Sequence, residues 1–255
     1  MIPIMKLRTI QASAVKSIFE VLKDVINDVN VYFDSKGIRI LALDTARVAL
    51  VHMFLDAQNF EEYDCPNPIT AGMNMSNTYK LLKSITNHDT LEILITGNEF
   101  IELIIQNQAK KSYSKFTLKL LDINEDILEL PELDTDIITT LPSIDFQRIC
   151  RDMGNLSNEI DIFRDHDKLE LSCLGDFANQ STLIECPETW DIRIGNTFSL
   201  KYINLFTKAT GMCSSVQIMQ NSTDEGFPII FRYSIANLGE MKFYLAPKVS
   251  EELKD

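Results

Sequence analysis

Four stretches of the chain place apolar residues at helical spacing and basic residues on the opposite side. In Gln11–Ile26 the apolar positions are Val15, Ile18, Phe19, Leu22, Val25 and Ile26, the stripe that a 3.6-residue period produces. Ser143–Gly154 repeats it with Phe146, Ile149, Cys150 and Met153. Ser76–Ile85 carries Tyr79, Leu82 and Ile85, and Ser199–Thr210 carries Tyr202, Leu205 and Phe206. Opposite the stripes, in chain order, lie Lys16 and Lys23, Lys80 and Lys83, Arg148 and Arg151, and Lys201 and Lys208.

Alternation between the helices predicts strands. Val29–Phe33 and Ile38–Leu43 flank the turn Asp34-Ser35-Lys36-Gly37, and Leu91–Thr96 and Phe100–Gln106 flank Gly97-Asn98, a hairpin signal. Phe116, Leu118 and Leu120 alternate with Lys115, Thr117 and Lys119, as in a half-buried strand. Leu169, Leu171 and Cys173 do the same against Lys168, Glu170 and Ser172. Ile229–Ile235 and Met241–Leu245 form a last hairpin around Asn237-Leu238-Gly239. Helix, strands, helix and strands thus occur twice. The expected fold is α+β: a duplicated domain with two helices packed on antiparallel sheets in each copy. A duplication places like faces alike, so all four helices are expected on one face, basic sides outward.

The predicted domains are residues 1–121 and 136–255, joined by a linker at 122–135. The joining sequence, Leu121–Thr135, is acidic and carries Pro131, yet holds Ile127, Leu128, Leu130 and Leu133. A plain flexible linker has no use for four large apolar residues. They pack on the domains or await a partner.

Charge sharpens the helix pattern. The 255 residues carry 24 basic and 37 acidic side chains, a net charge of −13. Setting aside the eight helix bases leaves 16 basic residues against 37 acidic ones. Surface helices ordinarily carry Lys and Arg, so one basic pair says little. Four matched pairs in so acidic a chain point to a polyanion held locally, while the remaining surface repels it.

With 45% apolar residues, the chain can bury a sizeable core. Its five cysteines, Cys65, Cys150, Cys173, Cys186 and Cys213, are scattered and read as reduced, mostly core thiols. No apolar run is long enough to span a bilayer, and Met1–Arg8 does not resemble a secretory signal, so an intracellular protein without membrane partners is expected.

Nothing in the sequence suggests a catalyst, a metal site or a cofactor. The three histidines, His52, His88 and His166, stand apart, and the chain lacks metal-ligand spacings, a phosphate loop and a nucleophile elbow. Cys150 lies on an apolar stripe, Asp161 and Asp165 fit an exposed strand and turn, and Asp44 fits turn bonding.

Several long segments resemble the proliferating cell nuclear antigen family, the eukaryotic-type DNA sliding clamps. They are Leu22–Val51, Gly72–Lys83, FQRICRDMGNLS (Phe146–Ser157), SLKYINLFTKAT (Ser199–Thr210) and YSIANLGEMKFYLAPKV (Tyr233–Val249). The resemblance runs colinearly from Gln11 to Val249. It implies a ring of three subunits, joined head to tail, that encircles duplex DNA without reading its sequence and acts as a processivity factor for DNA polymerase. The eight bases named above fall on the family's hole-facing positions. A further family base is absent where Ser17 stands, and Asp64 and Asn67 replace basic neighbours of Cys65. Subunit contacts fall on Ser112–Leu120 and Ala178–Cys186, and the connection after Cys186 is shorter than usual.

The resemblance also implies a groove for docking peptides of polymerases, ligases and nucleases, formed by Leu43, Arg47, Val48, Leu128, Leu130, Pro131, Pro228, Tyr244, Leu245, Ala246 and Pro247. A clamp loader is a further implied partner. Where many members carry a regulatory lysine, His166 stands here, with Lys168 nearby. The implied location is the nucleus, or a viral replication site if a virus encodes the chain. The alternative within this reading is one subunit of a heteromeric, checkpoint-type clamp.

Overall fold

The computed structural model of the chain describes residues 3–107, 109–124, 128–130, 133–224 and 226–248. Two compact units emerge. The first comprises Met1–Leu130, Gly211–Cys213 and Tyr233–Lys242, and the second comprises Pro131–Thr210, Ser214–Arg232 and Phe243–Asp255.

In the first unit, helix α1 (Ala12–Val25) follows strand β1 (Met5–Thr9), and α2 (Met75–Leu82) follows β6 (Ile69–Asn74). Strands β2 (Asp28–Asp34), β3 (Gly37–Leu43) and β4 (Ala49–Asp56) lie between them, with a short β5 (Glu62–Asp64). Then come β7 (Asp89–Ile95), β8 (Phe100–Asn107) and β9 (Ser112–Lys119). One antiparallel sheet runs β5-β1-β7-β8-β9, and β4, β3, β2 and β6 pair antiparallel in that order. The apolar stripe of α1 faces inward. Val15, Ile18 and Phe19 meet Leu7, Phe33, Ile93 and Leu103 around a void of only about 30 Å³, so the core is closely packed.

Local chemistry explains the element ends. Asn74 caps α2, its side-chain oxygen accepting from the Asn77 amide at 2.8 Å. In the β2–β3 turn, Asp34 accepts from the Lys36 amide at 2.7 Å. Gly37 has φ 145°, and a Cβ there would lie 1.9 Å from the Leu55 carbonyl oxygen, so only glycine fits.

The second unit has β10 (Ile137–Pro142), α3 (Ser143–Gly154), a long hairpin of β11 (Glu159–Leu174) and β12 (Asn179–Ser199), α4 (Leu200–Phe206) and β13 (Ser215–Gln220). Strands β14 (Ile229–Ile235) and β15 (Gly239–Leu245) follow in the chain; of them, Ile229–Arg232 and Phe243–Leu245 belong to the second unit and the rest to the first. Strand β10 pairs with β13, and β11 with β12. The core is aromatic: Phe146 stacks on Phe231 at 5.5 Å and Phe206 on Phe243 at 4.5 Å between ring centres. Helix α3 has Asp145 in its first turn and Arg151 in its last, each matched to the helix dipole.

One expectation needs correction. The fourth helix is α-helical only to Phe206; Thr207–Met212 continues as a 3-10 turn that carries Lys208. Gly97-Asn98 lies in a hairpin as expected, with five residues, Thr96–Phe100, between the paired Ile95 and Ile101. Strand β9 alternates as a half-buried strand should, and Phe116 and Leu118 are partly covered at the edge of the sheet.

Candidate functional site

Helices α1 and α2 pack against each other in the first unit, and their four lysines meet different fates. The Lys16 ammonium donates to the Ile85 carbonyl at 3.0 Å, which ties α1 to the segment that leaves α2. Lys23 pairs with Asp24 at 2.8 Å and lies 5.2 Å from the centre of the Tyr79 ring. The Tyr79 hydroxyl donates to Glu20 at 3.0 Å. Lys80 and Lys83 are exposed; Lys80 touches Asn77 at 3.2 Å, and Lys83 is the C-terminal cap residue of α2.

In the second unit Arg148, Arg151, Lys201 and Lys208 are all exposed. Arg148 lies 3.2 Å from Asp145, and Arg151 lies 3.7 Å from Asp152. Lys201 sits 6.0 Å from the Tyr202 ring centre. Exposed pairs of this kind are worth little and exchange readily. A phosphate can replace the carboxylate without a large penalty, which suits loose, movable contacts.

The proposed groove residues divide between the units. In the first, Leu43, Arg47 and Leu128 line a cleft of about 590 Å³ together with Asp28, Asp44 and Asn124. Leu43 and Leu128 are each 38% exposed and Val48 36%, so part of each apolar side chain meets solvent here. Asp44 shapes this loop. Its carboxylate accepts from the amides of Ala46 (3.1 Å), Val48 (2.8 Å) and Ala49 (2.8 Å), the turn bonding expected from the sequence. Arg47 is held at φ 57°. Leu130 is half-buried, and Pro131 lies outside the described residues.

In the second unit, Tyr244 and Leu245 are buried in β15, Ala246 is exposed and Pro247 is half-buried. Pro228 lines a small pocket with Phe227 and Asn221.

Two arginines escaped the sequence reading. Arg164 is 1% exposed and donates to backbone carbonyls of His166, Lys168 and Glu188. Arg193 pairs with Asp165 and Glu170. A signal existed for the first: alternation puts Arg164 on the same strand face as Ile160 and Ile162, both buried. The histidines are dispersed, His52 half-buried and His88 and His166 exposed. Burial pushes the Cys150 thiol well above its ordinary range. Among the described residues no group of three His, Cys, Asp or Glu is placed to hold a metal, and no helix is long and apolar enough to cross a membrane.

A duplicated α+β subunit with basic helix faces and an open cleft that mixes Leu43 and Leu128 with polar side chains is the class of protein so defined. Residues 4–128 match the family described as proliferating cell nuclear antigen, N-terminal domain, and residues 129–248 match the corresponding C-terminal domain. A protein of Paramecium bursaria Chlorella virus 1, described as probable DNA polymerase sliding clamp 1, is 39% identical over 256 residues, 96% of this chain and 97% of that one. The crystal structure of proliferating cellular nuclear antigen from Entamoeba histolytica is similar with a TM-score of 0.89 at 26% identity, covering 97% of this chain and all of that one. The chain belongs to the proliferating cell nuclear antigen family.

Proposed function

We propose that this protein is a DNA sliding clamp: three copies close head to tail into a ring that encircles duplex DNA, tethers a DNA polymerase and serves as a docking platform. The observation that carries the reading is end-to-end similarity to a DNA polymerase sliding clamp, joined to exposed Lys and Arg on the helices of a chain whose net charge is −13. The helix pair of each unit turns its basic side to the phosphates. Long side chains with nearby carboxylates attract DNA without locking onto it, so the ring slides. The acidic remainder keeps DNA off the outer surface and the ring in solution.

The ring closes where β9 of one copy adds to the free edge of β12 in the next, which satisfies two open strand edges at once. Docking segments of polymerases, ligases and nucleases use the cleft at Leu43 and Leu128, and a clamp loader opens the ring onto DNA. The clamp itself makes and breaks no bonds. A virus-encoded relative favours a viral replication site as its place of action.

The test is polymerase extension on primed circular DNA combined with native mass. The expected outcome is a trimer that lengthens each extension event. A protein that stays monomeric and leaves extension length unchanged refutes the proposal; a trimer formed only with a second subunit type identifies a heteromeric clamp.

A further inference from the structure

We propose that Arg164 and Arg193 clamp a wide bulge in the β11–β12 hairpin from its two sides, and so aim the strand through which subunits join. The inference rests on the head-to-tail ring proposed above and assigns both arginines as positioning residues for assembly.

The hairpin is broken in its middle. Between its two regular parts β11 takes three steps, Asp165 to Lys168, while β12 takes eight, Arg193 to Glu185, with His166–Trp190 as the single pair inside. His166 turns the shorter strand with φ 49°. A break of this size leaves backbone carbonyls without ladder partners, and buried ones must be satisfied.

Arg164 supplies the donors from the inner face. One terminal nitrogen donates to the His166 carbonyl at 2.6 Å and the Lys168 carbonyl at 3.0 Å, and the other donates to the Glu188 carbonyl. Those acceptors lie on both strands of the break. No carboxylate is paired with this buried cation among the described residues, so carbonyl dipoles balance it. The planar, permanently charged fork suits that task, and a lysine has no equivalent geometry.

Arg193 acts from the outer face. It stacks over Phe163 at 4.6 Å, and its two terminal nitrogens reach Asp165 at 2.9 Å and Glu170 at 3.0 Å. Asp165 precedes the break and Glu170 follows it. Each arginine therefore ties the part of the hairpin next to the helices to the part beyond.

The far part, Lys168–Leu174 with Asn179–Glu185, carries exposed apolar side chains: Leu174 and Phe177 at its tip are 74% and 80% exposed, and Leu183, opposite Glu170, is 61% exposed. Among the described residues β12 pairs as a strand only with β11; Lys248 bonds to Thr197 at its helix end, and the other edge of the far part, Asn179–Glu185, is open to receive a strand. Adding a strand requires several backbone bonds in register at once. Loosening the break swings that edge, so assembly fails before the subunit unfolds.

The experiment is native mass against concentration for the full chain, with hydrogen exchange on the same samples. Arg164→Met is expected to raise the concentration of half-trimerisation by at least about tenfold, while exchange in α3 and β10 stays at the parent level and exchange in Asn179–Glu185 rises. Arg164→Lys falls between Arg164→Met and the parent. Arg193→Ala gives a smaller loss that shrinks further in high salt, because its ion pairs are exposed. Arg164→Met that trimerises like the parent overturns the proposal. Should that variant fail to fold, Arg164→Lys and Arg193→Ala carry the test, and parental trimerisation by both overturns it. A parent protein that never trimerises refutes the ring reading instead.

Discussion

The Lys16 ammonium sits 3.0 Å from the carbonyl oxygen of Ile85 and donates a hydrogen bond to it. Lys16 lies on α1, and Ile85 lies just past the end of α2, where carbonyls lack intrahelical partners. A residue that periodicity placed opposite the apolar stripe of α1 thus braces two helices against each other.

Lys16→Met is accordingly expected to destabilise the protein by about 1 kcal/mol, the worth of a partly exposed charge-assisted bond. DNA affinity and its salt dependence stay close to parental. Urea denaturation and a salt titration of DNA binding check the two halves; a full unit of lost salt slope with unchanged stability contradicts the brace.

Lys80 and Lys83 should behave in the opposite way. Both are exposed, and Lys83 stands at the C-terminal end of α2. Replacing both by Ala is expected to leave stability within about 0.5 kcal/mol and to lower the slope of log affinity against log salt by up to about two. The triple change of Lys83, Arg151 and Lys208 to Ala is expected to shorten polymerase extension on primed DNA. Parental extension length in that variant removes these residues from the DNA-facing set.

Leu43 and Leu128 share one cleft, so their effects on a docking peptide should not add. Leu43→Ser and Leu128→Ser are each expected to weaken a polymerase-derived peptide by about tenfold or more, with the double variant little worse. The trimer persists, since neither residue lies on β9 or β12. Calorimetric titration beside native mass reads both outcomes, and parental affinity in either single variant rejects the cleft.

His52 adds a pH dependence. Burial holds its imidazole pKa below the ordinary value of 6.5; Lys242 and Arg39 push the same way, and Glu240 opposes them. Its Nδ1 is buried with no hydrogen-bond partner among the described residues. The folded protein therefore resists a proton that the unfolded chain accepts. Stability is complete above the unfolded value and declines as pH falls through it toward the lower folded value. Melting temperatures taken from about pH 7.5 down to pH 5.5 are expected to fall more in the parent than in His52→Gln. Parallel curves contradict this assignment.

Much of the fold was legible because its signals are local. The stripe of α1 and the alternation of β2, β3 and β11 record which side of each element is wet, and that depends only on residues two to four positions away. Asp44 as a turn residue was legible for the same reason: its partners at Ala46, Val48 and Ala49 are close in sequence. Alternation with Ile160 and Ile162 also carried a signal for the buried face of Arg164, but a strand-borne arginine reads more readily as solvated and it was missed.

Other assignments needed distant parts of the chain. Sequence alone determined that the chain repeats one α+β plan, that Lys and Arg gather opposite the apolar stripes, and that Leu128 is an apolar residue in an acidic linker. Only the tertiary structure decided that Lys16 is bound to Ile85, 69 positions away, that Leu43 and Leu128 share a cleft, that Leu245 is buried, and that Arg164 closes a break reaching Glu188. The physical reason is range: periodicity reports which side of an element meets water, whereas a long side chain's partner is set by whichever backbone the fold brings within hydrogen-bond reach.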